Sequence, residues 1–329
     1  MPPKTASKRP PGAVLGAPVL VVCFFLAAVA CSRSEKQPSE SFQPPSPHVS
    51  ASAAPGRLAA EERTWTFAES PVGRMSVVVV IPERAPTQKF PVLIALHGRG
   101  ETLKGPERGA RGWVDDYALP RALARLAAPP LAAADFEGFV ERPRLDTLNR
   151  ALAEHPYQGL IVVCPYLPDL LSGDEPFSHA PPLAKFLVDQ LLPKIYAETP
   201  ALGTPAATGI DGVSLGGRAS LSVGLLRPES FGAVASLQAA LDPENANDLA
   251  NRALGALKKN PALHLRLLTS SGDYYLGALT TIHAGLAYAK VPHDYVVVSG
   301  PHAYAFNRGP GALEMLTYHD RVLRGLPPP

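Results

Sequence analysis

Gly212-Val213-Ser214-Leu215-Gly216-Gly217 is the stretch that decides how this chain is read. It follows a short strand-like run, Ala206 to Asp211, and precedes a helix-like run, Arg218 to Leu226, that Pro228 stops. A serine with a glycine two residues away on each side suits a sharp strand-to-helix turn. Glycines let the backbone pass close to its neighbours, and the serine hydroxyl is pushed out where a substrate can reach it. Gly and Ser are common, so these letters gain weight only from what surrounds them.

Outward from this turn, strands and helices alternate. Thr64 to Glu69 and Arg74 to Ile81 read as paired strands joined by Ser70-Pro71-Val72-Gly73. Phe90 to Leu96, Leu160 to Cys164, Gly232 to Leu237, Leu263 to Ser270 and Tyr295 to Ser299 read as further strands. Helical periodicity marks Leu119 to Leu126, Leu145 to Leu152, Leu183 to Tyr196, Ile282 to Ala289 and Ala312 to Leu323. Continuous apolar strands between helices imply an α/β fold, a mostly parallel central sheet with helices on both faces. Sites in such open sheets gather at the carboxyl ends of the strands. There is no internal repeat.

If Ser214 is a nucleophile, it needs a base and an acid that orients the base. His283 and His319 fall inside predicted helices, and His293 precedes a strand. Only His302 lies just past a strand's carboxyl end, in Ser299-Gly300-Pro301-His302. Asp273, after Ser270-Ser271-Gly272, is the first choice of acid, and Asp242 the alternative; Asp294 opens a strand at the wrong end of the sheet. An oxyanion needs preorganised donors. The backbone N–H groups of Leu215 and Arg99 are the candidates, the latter in the loop His97-Gly98-Arg99-Gly100, where His97 reads as a loop-ordering residue.

These segments carry a resemblance to the α/β-hydrolase superfamily, and within it to an esterase group that includes esterase D-like and feruloyl-esterase-like proteins. The carrying residues are Leu96-His97-Gly98-Arg99-Gly100, Gly212 to Gly217, Ser271-Gly272-Asp273 and Gly300-Pro301-His302-Ala303-Tyr304-Ala305-Phe306, over roughly residues 63 to 325. The order Ser214, Asp273, His302 along the chain is the order the superfamily uses. The resemblance implies a serine hydrolase acting through Ser214, His302 and Asp273 and an acyl-enzyme, on a small ester or acyl substrate. The alternatives are a serine peptidase on the same fold and a non-catalytic binding or scaffold lipoprotein. The departure is a helical insertion near 101–159, longer than the family's usual connection, which could cap the site. Trp113, Tyr117, Phe136 and Phe139 either line a pocket from it or pack in the core.

Composition limits the rest. At 329 residues and 46% hydrophobic, the chain can bury one large α/β domain or two small domains. A net charge of +2 with scattered Lys and Arg gives no footprint for nucleic acid. Asp115, Asp116, Asp169 and Asp174 lack complete ligand spacing, no paired cysteines or phosphate-cradling loop occur, and no metal or cofactor is expected. Lys4, Lys8 and Arg9 precede the apolar run Ala13 to Ala30, which reads as a signal segment, residues 1–30. Ala28-Val29-Ala30-Cys31 resembles the lipobox of bacterial lipoproteins, with Ala where Leu is usual, and implies lipidation of Cys31. The rival readings are an ordinary signal peptide cut near Ala30 and an uncleaved anchor. A Ser/Pro/Ala-rich tether over 31–62 and a hydrolase domain over 63–329 complete the organisation. The expected location is the outer side of the inner membrane or the outer membrane, held by a lipid anchor; the alternative is periplasmic or secreted. Cys164 is left without a partner in the domain and reads as a buried structural thiol. Oligomeric state is not indicated.

Overall fold

Eight strands form one sheet: β1 (Ala60–Phe67), β2 (Met75–Pro82), β3 (Val92–Leu96), β4 (Ile161–Pro165), β5 (Thr208–Gly212), β6 (Ala233–Leu237), β7 (His264–Gly272) and β8 (Asp294–Pro301). Their order is β1-β2-β4-β3-β5-β6-β7-β8. The structure is a computed structural model and describes residues 60–83, 85, 87–169 and 177–329. The signal segment, Cys31, most of the tether and Asp174 lie outside the described residues. β1 begins at Ala60, three residues inside the stretch read as tether, because Ala60 to Arg63 pair with Val79 to Pro82.

β1 and β2 form the hairpin expected from the sequence, and β2 runs antiparallel to β4; all other neighbours are parallel. The pleat explains why the strands are apolar throughout. Val77, Val79, Val92, Ile94, Leu96, Ile161 and Val163 enter one core, while Val78, Val80, Leu93, Ala95, Val162 and Cys164 enter the other. Alternate side chains point to opposite faces, so a strand covered on both sides must be apolar at every position.

The first core is roofed by the helical stretch 180–198 and by the helices Leu215–Leu226, Ala246–Lys259 and Leu276–Tyr288. The second is roofed by Leu119–Leu126, Arg142–Glu154 and Ala312–Val322. The Ala246–Lys259 helix has no counterpart in the sequence reading, because its buried face is built mainly from Ala246, Ala250, Ala253 and Ala256. Residues 101–159 supply part of the second layer: Trp113, Tyr117 and Phe136 are fully buried in that core, and Phe139 is half-buried.

This layering places the site. The chain leaves β3 toward the second face and leaves β5 toward the first. The two neighbouring strands therefore diverge at their carboxyl ends, and a crevice opens between the loops that follow them. Those loops hold Gly98 and Ser214.

Candidate active site

The turn after β5 is held by close approach. A Cβ on Gly212 would lie 2.6 Å from the Gly216 carbonyl, and one on Gly216 would lie 2.4 Å from the Leu96 oxygen. Only glycine fits both places. Val213 N–H donates to Leu96 O at 3.1 Å and Ser214 N–H to Leu237 O at 2.9 Å, so the turn is pinned to the strands on either side. Ser214 takes φ +57°, ψ −114°, a conformation that costs a non-glycine residue on the order of 1–3 kcal/mol. It stands immediately before the Leu215–Leu226 helix, which begins three residues earlier than the sequence pattern suggests. Leu215 N–H, at the first helical position, has no intrahelical acceptor.

His302 and Asp273 meet. His302 Nδ1 lies 2.8 Å from Asp273 Oδ1, both side chains being nearly closed to solvent. A carboxylate can only accept, so Nδ1 carries the proton and Nε2 keeps its lone pair. Asp273 is itself fixed: its Oδ2 accepts from Thr269 Oγ1 at 2.6 Å and its Oδ1 from Tyr275 N–H at 2.9 Å. Asp242, the alternative acid, is exposed and accepts a bond from Asn245 as the cap of a short turn. The other histidines lie as the sequence suggested. His283 Nδ1 and His293 Nε2 contact each other at 2.8 Å, and His319 is buried against Asp211 at 3.1 Å beneath the elbow strand.

The loop after β3 is ordered by groups on both sides. Leu167 N–H donates to His97 Nε2 at 2.9 Å, so His97 Nδ1 is the protonated nitrogen and donates to Gly98 O at 2.8 Å. A trans peptide directs C=O and N–H to opposite sides, so the Arg99 N–H points away from His97. Burial pushes the His97 imidazole down to about 4, the Gly98 bond opposing only in part, and the ring is neutral at pH 7. His97 thus orders the loop. Gly98 N–H donates to Tyr117 Oη at 3.2 Å, and Tyr117 Oη donates to Glu101 Oε2. Tyr304 Oη donates to Glu101 Oε1 at 2.7 Å. Glu101 is fully buried. Its carboxylate thereby ties the β3 loop to the segment just after His302. Burial and the Glu101 charge hold the Tyr117 phenol well above its usual value.

Gly98, Arg99, Ser214, Gln238, Tyr274, His302, Tyr304 and Asn307 are among the residues lining one open cleft of about 190 Å³. Tyr274 is largely exposed, and its ring lies on that of His302 with centroids 4.1 Å apart. Burial and the Asp273 charge raise the Tyr274 phenol, while a hydrogen bond with Ser214 works the other way. The Arg99 side chain turns to the surface, 3.3 Å from Asp169. Asp115 and Asp116 pair with Arg111 and Lys104. Cys164 is a free, buried thiol whose ionisation burial disfavours. Among the described residues no three His, Cys, Asp or Glu side chains gather where a metal ion could bind.

Sequence reasoning missed Glu101, Tyr274 and Gln238, and weighed Tyr117 only as a pocket or core aromatic. Tyr274 adjoins Asp273, and Glu101 adjoins the glycine loop; adjacency was the only signal either one gave.

Comparison with known proteins agrees with this architecture. Residues 174–270 match the family described as "Putative esterase". Among solved structures, a ferulic acid esterase superposes with a TM-score of 0.60 at 16% identity, covering 81% of this chain and 99% of its own. The fluorophosphonate-binding serine hydrolase FphF of Staphylococcus aureus gives 0.55 at 13%, covering 80% and 99%. S-formylglutathione hydrolase FrmB of the same organism gives 0.52 at 14%, covering 80% and 100%. No curated protein matches the chain significantly. The chain has the α/β-hydrolase fold.

Proposed function

We propose that this protein is a serine hydrolase that cleaves carboxylic esters. The observation that carries the reading is the 2.8 Å bond from His302 to Asp273, in the cleft that Ser214 also lines. Ser214 Oγ attacks the acyl carbon as His302 Nε2 takes its proton. The oxyanion accepts from the Leu215 and Arg99 N–H groups, and Asp273 stabilises the imidazolium. His302 then protonates the leaving alcohol, and water attacks the acyl-enzyme by the reverse sequence. The esterase match over residues 174–270 supports this choice of reaction, as does the neighbour named a ferulic acid esterase.

Ser214→Ala should abolish turnover of p-nitrophenyl butyrate by pure protein. Undiminished turnover in that variant would end the proposal.

We also infer from sequence alone that Cys31 becomes a lipidated N-terminus and holds the domain on a membrane. The mass of the mature N-terminal peptide tests it: a diacylglyceryl-modified Cys31 is expected, and an unmodified terminus near that position would remove the anchor.

A further inference from the structure

We propose that Tyr274 is a further catalytic residue of this cleft: its hydroxyl donates a hydrogen bond to the leaving oxygen of the ester, while its ring holds the His302 imidazole in place. This rests on the ester-hydrolase reading and adds a residue to it.

The turn that carries the acid also presents this tyrosine. Asp273 N–H donates to Ser270 O at 3.1 Å, and Leu276 N–H donates to Asp273 O at 3.1 Å. Tyr275 N–H donates to Asp273 Oδ1 at 2.9 Å, so the residues on both sides of Tyr274 are pinned. Tyr274 is 70% exposed, yet its ring has partners. It lies on His302 with centroids 4.1 Å apart and 35° between the planes, and on Tyr275 at 4.6 Å. Tyr275 packs in turn against the first core, which gives the two rings a fixed backing. Stacking covers the face of an imidazole and not its edge, so the in-plane lone pair of Nε2 stays open. The backbone before His302 is fixed as well: Gln238, at a left-handed φ of +47°, donates its amide to Pro301 O at 3.1 Å and to Ser270 Oγ at 2.6 Å.

The Tyr274 hydroxyl extends past the imidazole to Ser214, with which it shares a hydrogen bond, and both residues line the cleft. Burial and the Asp273 charge hold the phenol above its ordinary value, so it keeps its proton at neutral pH and is able to donate. The order of strands decides which substrate oxygen it meets. Ser214 follows β5, and the two oxyanion donors follow β3 and β5; Tyr274 and His302 follow β7 and β8, across the sheet from β3. The acyl oxygen is drawn to the first side. The leaving oxygen takes its proton from His302 and therefore lies on the second. Ser214 Oγ and the leaving oxygen are bonded to the same tetrahedral carbon, so a hydroxyl that reaches the one along the imidazole reaches the other. The phenol loses no proton in this step. The bond from the acyl carbon to the alcohol oxygen breaks, its electron pair stays on that oxygen, and Nε2 delivers the proton taken from Ser214. Tyr274 O–H donates only a hydrogen bond to the charge that develops there.

The test compares benzyl butyrate with p-nitrophenyl butyrate in the wild type, Tyr274→Phe and Tyr274→Ala. The acyl group is shared and both alcohols carry a benzene ring. Nitrophenoxide leaves without a proton, whereas a benzyl alkoxide does not. With the side chain largely exposed, neither change removes core packing. Phenylalanine keeps a ring on His302 and removes the donor. In Tyr274→Phe the benzyl-to-nitrophenyl ratio of kcat/KM should fall by at least about tenfold, with the loss on the benzyl ester lying in kcat, as for an interaction made only in the transition state. Tyr274→Ala also removes the ring contact and should slow both esters by a further factor of roughly two to ten. An unchanged ratio in Tyr274→Phe overturns the role of the hydroxyl, whatever alanine does. A loss confined to KM makes Tyr274 a binding surface and overturns it too. If the wild type cleaves p-nitrophenyl butyrate but not benzyl butyrate, the leaving oxygen receives no such help; the proposal falls and the ester-hydrolase reading stands. If the folded wild type cleaves neither, both readings fall together.

Discussion

Removal of one phenolic oxygen, by Tyr117→Phe, separates two roles of the residue behind the β3 loop. The ring is fully buried against Trp113, centroids 5.0 Å apart, and phenylalanine keeps that packing. The oxygen makes two bonds, accepting from Gly98 N–H at 3.2 Å and donating to the buried Glu101 carboxylate. A buried donor left unpaired costs about 1–3 kcal/mol, and a hydrogen bond to a charged group contributes about 1.5–3 kcal/mol. The two losses share one site and Tyr304 still serves Glu101, so they add incompletely; about 2–4 kcal/mol of stability should be lost. The same change frees the Gly98 peptide that precedes the Arg99 amide. Loss of a whole oxyanion donor costs on the order of 10²–10³ in kcat, so a loosened one should cost roughly tenfold to a hundredfold with KM nearly unchanged. Urea unfolding and steady-state kinetics on p-nitrophenyl butyrate measure both quantities. A stability loss with unaltered kcat would reduce Tyr117 to a packing residue. No change in either would refute the reasoning.

Three further outcomes follow from named contacts. Asp273→Asn should lower kcat/KM by about 10³–10⁴-fold through loss of the imidazolium partner, whereas Asp242→Asn should stay within about twofold; the reverse pattern would move the acid to Asp242. His97 is neutral in the folded protein with its ionisation near 4, against about 6.5 unfolded. Stability linked to it is therefore complete above pH 6.5 and is lost as pH falls toward 4, by up to about 3 kcal/mol. Urea midpoints at pH 7 and 4.5 should draw closer together in His97→Gln, and an unchanged gap would remove His97 from the pH dependence.

The fold was largely legible because a doubly covered sheet forces apolar runs, and every strand read from such a run is present in the sheet. The Ala246–Lys259 helix was not picked out: its buried face is built mainly from alanines, each of which buries little apolar surface, so no run of large apolar residues marks it. The principal site positions were legible from glycine placement and strand ends. The choice between Asp273 and Asp242 was not, because both follow strands at the same end of the sheet and only the reach of His302 Nδ1 separates them. Glu101 and Gln238 were hidden for a different reason. A buried carboxylate and a strained glutamine get their meaning from partners far away in sequence, Tyr304 for one and Pro301 for the other.

The central claim is that Ser214 is the activated nucleophile of this cleft. The most direct test is to treat folded protein with a fluorophosphonate and locate the adduct by peptide mass. One equivalent on the peptide containing Ser214 is expected, absent when the protein is unfolded before treatment and strongly slowed in His302→Ala. Absence of an adduct, where a control esterase is labelled, or modification of a different residue, would contradict it.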